Sequence, residues 1–255
     1  MELVNSIVKA VRILDRLKSR GPQSYMEILK QVELPKSTLF KILQTLETEE
    51  LVRRDQESGR YQLGVKMIEW GIGAQSQLEI RKIALPFMQD LGKSLDSTIH
   101  LTVVSHGEVL PIESYEPGST AWPQYIFHGG VGIPAPLHAT APGKVILSFM
   151  NRDELESAIR EKGLKKFTEN TITDRARLDA SLEEIRESGY AVSYAEHNEM
   201  VHAVAAPIRD HAGKVFASLS ALGTISRITP EGVPAIAVQM IKAADEISRL
   251  FGHHP

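Results

Sequence analysis

The sequence predicts an α+β fold in two parts: a small trihelical unit closed by a hairpin, then a larger domain of helices on an antiparallel sheet. Three observations carry this. Apolar residues recur at helical spacing from Ile7 to Leu46. A polar turn, Asp55-Gln56-Glu57-Ser58-Gly59, then separates two short β-like runs. From Thr98 onward, alternating runs are interleaved with helical ones, the pattern of helices packed on an antiparallel sheet.

Ile7, Val11, Leu14 and Leu17 share a face of the first helix, with Asn5 as expected N-cap and Gly21-Pro22 as the stop. Ser24-Tyr25-Met26-Glu27 is a capping box opening a short second helix through Val32. A third begins near Pro35, whose missing N–H suits a first helical turn, and runs to about Glu49. Leu51–Arg54 and Arg60–Leu63 are the expected hairpin strands. Residues 64–96 read as helix in two pieces. Val65, Ile68 and Ile72 line the first, with Trp70 nearby; Ile80, Ile83, Ala84, Phe87, Leu91 and Leu95 stripe the second. The expected organisation is a first domain at 1–64, a linker helix at 65–78 and a second domain at 79–255.

In the second domain, Ile99–Val104 and Val109–Ser114 flank the turn His106-Gly107-Glu108. A Pro/Gly-rich stretch from Glu116 to Pro136 holds a candidate strand at Tyr125–His128. Helices are expected over 140–149, 152–162 and 174–188, strands near 190–195, 201–208 and 214–221, and a final helix from Thr229-Pro230 through Phe251.

The chain has 255 residues, 42% hydrophobic and 24% charged, enough apolar content for packed cores. Net charge is −3, but unevenly spread. Residues 1–60 carry 11 Lys/Arg against 9 Asp/Glu, and the remainder 18 against 23. With no cysteine, disulfides, thiolate catalysis and cysteine zinc sites are excluded. No signal peptide is visible at the start and no apolar run approaches the ~18 residues of a membrane span, so a cytoplasmic protein is expected.

The third helix is the informative one. Leu39, Ile42, Leu43 and Leu46 fall on one side at ~100° per residue, placing Ser37, Lys41 and Gln44 opposite, with Thr38, Phe40 and Thr45 flanking. Hydroxyl, amide and ammonium groups on an outward face are what a helix needs to read a major groove. Arg53, Arg54 and Arg60 sit on the hairpin where a wing would lie, and such cations hold phosphates in a salt-dependent way. The pattern is that of a winged helix-turn-helix. It is equally compatible with a plain trihelical unit, since such units serve many ends.

Leu34-Pro35-Lys36-Ser37-Thr38-Leu39-Phe40-Lys41-Ile42-Leu43-Gln44-Thr45-Leu46, then Tyr61-Gln62-Leu63-Gly64, resembles the IclR family of bacterial transcriptional regulators. So does Val8-Lys9-Ala10-Val11-Arg12-Ile13-Leu14 near the start. The second half agrees, through Pro136-Leu137-His138-Ala139-Thr140-Ala141-Pro142-Gly143-Lys144, Ile185-Arg186-Glu187-Ser188-Gly189-Tyr190 and Ala203-Val204-Ala205-Ala206-Pro207-Ile208-Arg209-Asp210. Lys41 departs from the Arg common at that position, and an ammonium lacks the planar two-donor fork. The resemblance implies DNA binding, with Ser37, Thr38, Lys41 and Gln44 reading bases and Lys36, Arg53, Arg54 and Arg60 holding the backbone.

It further implies a GAF-like effector domain that binds small organic acids or aromatic compounds. His138, Ala139 and Thr140 precede a helix whose first N–H groups suit a carboxylate. By resemblance the pocket wall also includes Ser193, Ala203, Ser220 and Leu222. Relatives that take very small acids often carry an acidic residue, a cysteine and paired serines there. This less polar wall, with Trp122, Tyr125 and Phe127 in the preceding variable stretch, implies a partly apolar carboxylate. Homodimers or homotetramers are implied too, with the first and linker helices as candidate dimer surfaces.

Other chemistries are poorly supported. His197 and His202 lie near Glu196 and Glu199, but no His-Glu-x-x-His helix exists, so no cofactor is expected and zinc, which some relatives of the resembled family hold, stays only the minor alternative. There is no Gly-x-Ser-x-Gly elbow. Gly143-Lys144 lacks the rest of a phosphate loop, and close helix packing is the plainer reason for Gly143. A small-molecule-binding enzyme and a protein-interaction scaffold, each carrying a trihelical unit, are the alternatives.

Overall fold

The computed structural model describes residues 3–32, 34–118 and 130–253. The chain divides into two compact units, Met1–Gln77 and Leu78–Pro255.

The first unit holds α1 (Asn5–Arg20), α2 (Tyr25–Leu29), α3 (Lys36–Thr48), the strands β1 (Val52–Arg54) and β2 (Tyr61–Leu63), and α4 (Lys66–Gln77). Ile13, Leu17, Ile28, Leu39, Leu43, Leu46, Val52 and Tyr61 form its core. Antiparallel β1 and β2 pair Val52 with Leu63 and Arg54 with Tyr61. Gly64 follows directly, and a Cβ there would lie 1.9 Å from the Glu50 carbonyl oxygen, so only glycine lets the chain pass.

The Ser24 capping box forms as expected, with Glu27 N–H donating to Ser24 Oγ and Ser24 N–H to the Glu27 carboxylate. Asn5 is not the cap of α1: Val4 occupies that position and Asn5 is already helical. Pro35 is likewise the N-cap of α3 rather than its first turn, and α2 ends at Leu29, short of Val32. Each boundary moves by a few residues because tertiary packing, not propensity, decides where a helix frays.

The second unit contains α5 (Glu79–Leu95), β3 (Thr98–Ser105), β4 (Glu108–Tyr115), α6 (Ala141–Ser148), α7 (Arg152–Lys162), α8 (Arg175–Ser188), β5 (Ala191–Tyr194), β6 (Val201–Arg209), β7 (Val215–Thr224) and α9 (Val233–Leu250). The strands form one antiparallel sheet in the order β4-β3-β7-β6-β5. Helices α5 and α9 cover one face over Met88, Ile99, Leu101, Ile208, Leu219 and Met240. Helix α6 covers the other, with α8 behind it, around Val145, Leu147, Leu178 and Leu182. Strand side chains alternate, so as Ile99 and Leu101 join the α5/α9 layer, His100 and Thr102 point to the α6 side. On β7, Ala217, Leu219 and Ala221 face α5/α9, leaving Ser218, Ser220 and Leu222 toward α6.

The final helix starts at Val233, not at Thr229-Pro230. Thr229 instead closes a turn before it, its carbonyl accepting from Gly232 and Val233. The candidate strand Tyr125–His128 lies outside the described residues.

Candidate functional site

On α3, the two faces separate as the helical period requires. Leu39, Leu43 and Leu46 are buried, while Lys36, Ser37, Lys41 and Gln44 are exposed and Thr38 is half-buried. Ile42, expected on the apolar side, is half-buried against the same core. The Thr45 hydroxyl donates to the Lys41 carbonyl at 2.8 Å. Phe40 remains 56% exposed beside the polar face. The Tyr25 hydroxyl donates to the Lys36 carbonyl at 2.7 Å and pins the start of α3 to α2.

The hairpin cations differ in their commitments. Arg53 and Arg54 are exposed, and Arg54 stacks over the Tyr61 ring at 5.6 Å. Arg60 is tied to another element instead, though its side chain stays 43% exposed. It pairs with Glu27 at 3.1 Å and donates to the Pro22 carbonyl at 2.9 Å, bracing the hairpin against the start of α2. That engagement sets Arg60 apart from Arg53 and Arg54. Its partner lies too far away in sequence for any local pattern to show. In the turn, Asp55 accepts from the Ser58 N–H and hydroxyl, which hold its carboxyl below the usual carboxylate range.

In the second unit, a cavity of about 90 Å³ opens between the α6 side of the sheet and the start of α6. Ala139, Thr140, Ser193, Ala203, Ser220 and Leu222 all line it. The register explains the convergence. Ser193 pairs with Ala203 and Ala203 with Leu222, so three positions distant in sequence form one row across β5, β6 and β7. Ser220 is opposite His100 on β3. Thr140 caps α6: its hydroxyl accepts from Gly143 N–H at 3.2 Å and donates to the Pro136 carbonyl at 2.8 Å. Gly143 is required by close packing, since a Cβ would lie 2.1 Å from the Leu137 carbonyl oxygen.

His138 is the residue of this group placed elsewhere. The segment 134–139, extended at Ala135 and turning from Leu137, puts Ala135 and Ala139 on this cavity and Pro134, Pro136, Leu137 and His138 on a neighbouring one. His138 Nε2 lies 2.9 Å from the Lys165 carbonyl oxygen. Trp122, Tyr125 and Phe127 lie outside the described residues.

Sequence reasoning missed His100, Thr102, Pro111, His197 and Asn198, which also line the cavity. The available signal was a histidine between Ile99 and Leu101 in an apolar strand, a polar group that burial must account for. Two buried hydroxyls in the wall, Thr102 Oγ1 and Ser220 Oγ, have no hydrogen-bond partner among the described residues. Buried polar atoms without partners are sites for ligand or ordered water.

Burial pulls the His100 pKa from 6.5 down to about 4, so the wall presents a neutral imidazole at neutral pH. The unfolded chain takes up this proton as pH falls through 6.5, whereas the folded chain resists until about 4. Stability is therefore lost on acidification across that window, by about 2 kcal/mol at pH 5 relative to pH 7 from this group alone. Urea unfolding at both pH values checks this. His100→Gln should remove that part of the pH dependence, and an unchanged slope would refute it.

Behind the cavity, Lys144 Nζ lies 2.5 Å from Glu196 Oε1, and the two residues are 3% and 6% exposed. The Thr168 hydroxyl donates to the Ala195 carbonyl at 2.7 Å and the Thr171 hydroxyl to that of Glu196 at 2.6 Å. These bonds fix the turn that carries His197 and Asn198. Among the described residues, no cluster of three or more His/Asp/Glu could hold a metal ion, and no helix is long and apolar enough to cross a membrane.

Comparison with known proteins agrees with both units. Residues 6–56 match the IclR helix-turn-helix domain, and residues 72–249 the C-terminal domain of the bacterial transcriptional regulator IclR. The chain is 30% identical to the HTH-type transcriptional regulator KipR of Bacillus subtilis over 97% of each protein. It is 30% identical to the HTH-type regulator XynR of Escherichia coli over 99% of each. Its fold superposes on an IclR-type regulator from Alicyclobacillus acidocaldarius with a TM-score of 0.83 at 30% identity, covering 99% of this chain and 100% of the other. With family matches spanning both units and full-length relatives at this identity, the chain belongs to the IclR family of bacterial transcriptional regulators.

Proposed function

We propose that this regulator binds operator DNA as a homodimer and that a small, partly apolar carboxylate in the 90 Å³ cavity sets its DNA affinity. The observation that carries the DNA reading is the division of α3, with leucines inside and Ser37, Lys41 and Gln44 outside. Ser37, Thr38, Lys41 and Gln44 read base edges, while Lys36, Arg53 and Arg54 hold phosphates. Arg60 serves the backbone contact indirectly, by bracing the hairpin. The first unit ends in α4, which we assign as the linker helix between DNA-binding and sensing parts.

Dimerisation is supported by apolar side chains left exposed in the first unit: Val4, Ile7 and Val11 at α1, and Val65, Ile68, Trp70 and Ile72 at α4. No residue of α4 is buried. A twofold partner would cover such surface and set two recognition helices on half-sites.

The acid reading rests on the cavity wall. Thr102 and Ser220 offer hydroxyls, the start of α6 offers the Ala141 N–H, since Pro142 has none and that of Gly143 is held by Thr140, and Val109, Pro111, Ala135, Ala203 and Leu222 supply apolar surface. An IclR homologue from Microbacterium hydrocarbonoxydans, 23% identical to this chain, was crystallised with 4-hydroxybenzoate. The cavity here is smaller than the ~150 Å³ that holds a benzene ring, so a compact acid fits it as it stands.

A salt-controlled binding selection on random duplex DNA tests the function, followed by single variants. Lys41→Ala should cost about 1–3 kcal/mol at particular base pairs, whereas Arg54→Ala should weaken all sequences alike and lower the salt slope by about one charge. Equal effects across all sequences for both would refute the division of labour. Effector and operator affinities must also couple reciprocally, and titrating acids with and without operator measures it.

A further inference from the structure

We propose that the neighbouring cavity is a second compartment of the effector site, and that the His197 side chain is the removable partition between them. It would take the distal, flat apolar end of an elongated carboxylate whose acid group sits in the inner cavity. This rests on reading the inner cavity as the effector site.

The outer cavity has a volume of about 290 Å³ and is lined by Leu147, Ile159, Leu164, Phe167 and His138. His197 lines both cavities. The segment 134–139 also borders both, with Ala135 and Ala139 on the inner cavity and Pro134, Pro136, Leu137 and His138 on the outer. Its Ala135 is bonded in both directions to Val109 (2.9 Å each), and Gly143 packs tightly under Leu137. Opening through that part would break a backbone bridge. At His197 the barrier is one side chain, and the turn bearing it is held from below by Thr168, Thr171 and the Lys144–Glu196 pair, so that side chain can move while its backbone stays in place. His197 meets the Phe167 ring edge-on, with centroids 4.9 Å apart. An incoming aromatic group can replace that contact in kind. At the rim, Lys165 Nζ stands 5.6 Å from the Phe167 centroid. The chemistry favours an aryl or cyclic apolar group, with room beyond what the inner cavity alone provides.

The native chain has no cysteine, so one introduced thiol reports access without background. In Ser220→Cys, the thiol sits in the inner cavity. Adding His197→Ala should raise its labelling rate with a thiol-disulfide reagent by at least about tenfold, whereas His197→Phe should leave it slow. Ala221→Cys, on the opposite side of the sheet, should stay unreactive in either background, which separates local opening from unfolding. In calorimetry, His197→Ala should shift preference from propionate and butyrate toward 4-phenylbenzoate by about tenfold or more. Labelling that ignores His197→Ala, or that rises equally with His197→Phe, overturns the partition while leaving the inner site standing. Labelling that responds, with none of the acids bound by any variant, overturns the effector reading and this proposal with it.

Discussion

Lys144→Met is expected to destabilise the second unit by about 3–5 kcal/mol, because it leaves the Glu196 carboxylate buried without its counter-charge. Methionine keeps the stem of lysine and little of the volume changes, so lost packing contributes little. Glu196 has no easy escape: its Oε2 already lacks a hydrogen-bond partner among the described residues, and its backbone carbonyl is held by the Thr171 hydroxyl. Replacing both partners, as Lys144→Met with Glu196→Leu, should recover most of the loss, since a buried ion pair exchanged for apolar groups is close to neutral. Urea unfolding of the parent, the single and the double variant measures this. A single variant costing under about 1 kcal/mol, or a double variant no better than the single, would refute it. The single variant should also weaken effector binding, as residues 197 and 198 follow Glu196 directly into the cavity wall.

Leu43→Ala should cost the first unit about 3 kcal/mol and abolish operator binding, with the second unit intact. Leu43 is 1% exposed and sits between Leu39 and Leu46 in a small core. A small domain buries a smaller fraction of its surface, so a cavity takes a large share of its stability. Calorimetry should show the loss confined to one transition, while effector titration stays near the parent value. Lys41→Ala provides the contrast: stability near the parent, affinity reduced. Normal DNA binding by Leu43→Ala would mean that the leucine side of α3 is not its anchor.

The features that periodicity and local chemistry control were legible in the residues themselves. Leu39, Leu43 and Leu46 against Ser37, Lys41 and Gln44 follow from 3.6 residues per turn, and the Ser24 capping box from groups three residues apart. The hairpin at His106-Gly107 follows from two adjacent left-handed residues, with φ of 51° and 71°. What escaped notice depends on distant partners. Arg60 was readable as a cation of the hairpin, but Glu27 and Pro22, which hold it, belong to another element. The Lys144–Glu196 pair joins a helix start to a turn beyond β5. His138 and Ala139 are neighbours in sequence, yet the turn that carries them sends them into different cavities.

Read alone, the residues determined the two-part α+β organisation, the polar outward face of the third helix and, through resemblance, the family. Those depend on short-range spacing, which any stretch of chain displays. Tertiary structure decided which cation is tied to another element, which side chains enclose the inner cavity, and which histidine lines both cavities. Strand register and helix packing set these, and both arise from contacts between residues dozens of positions apart.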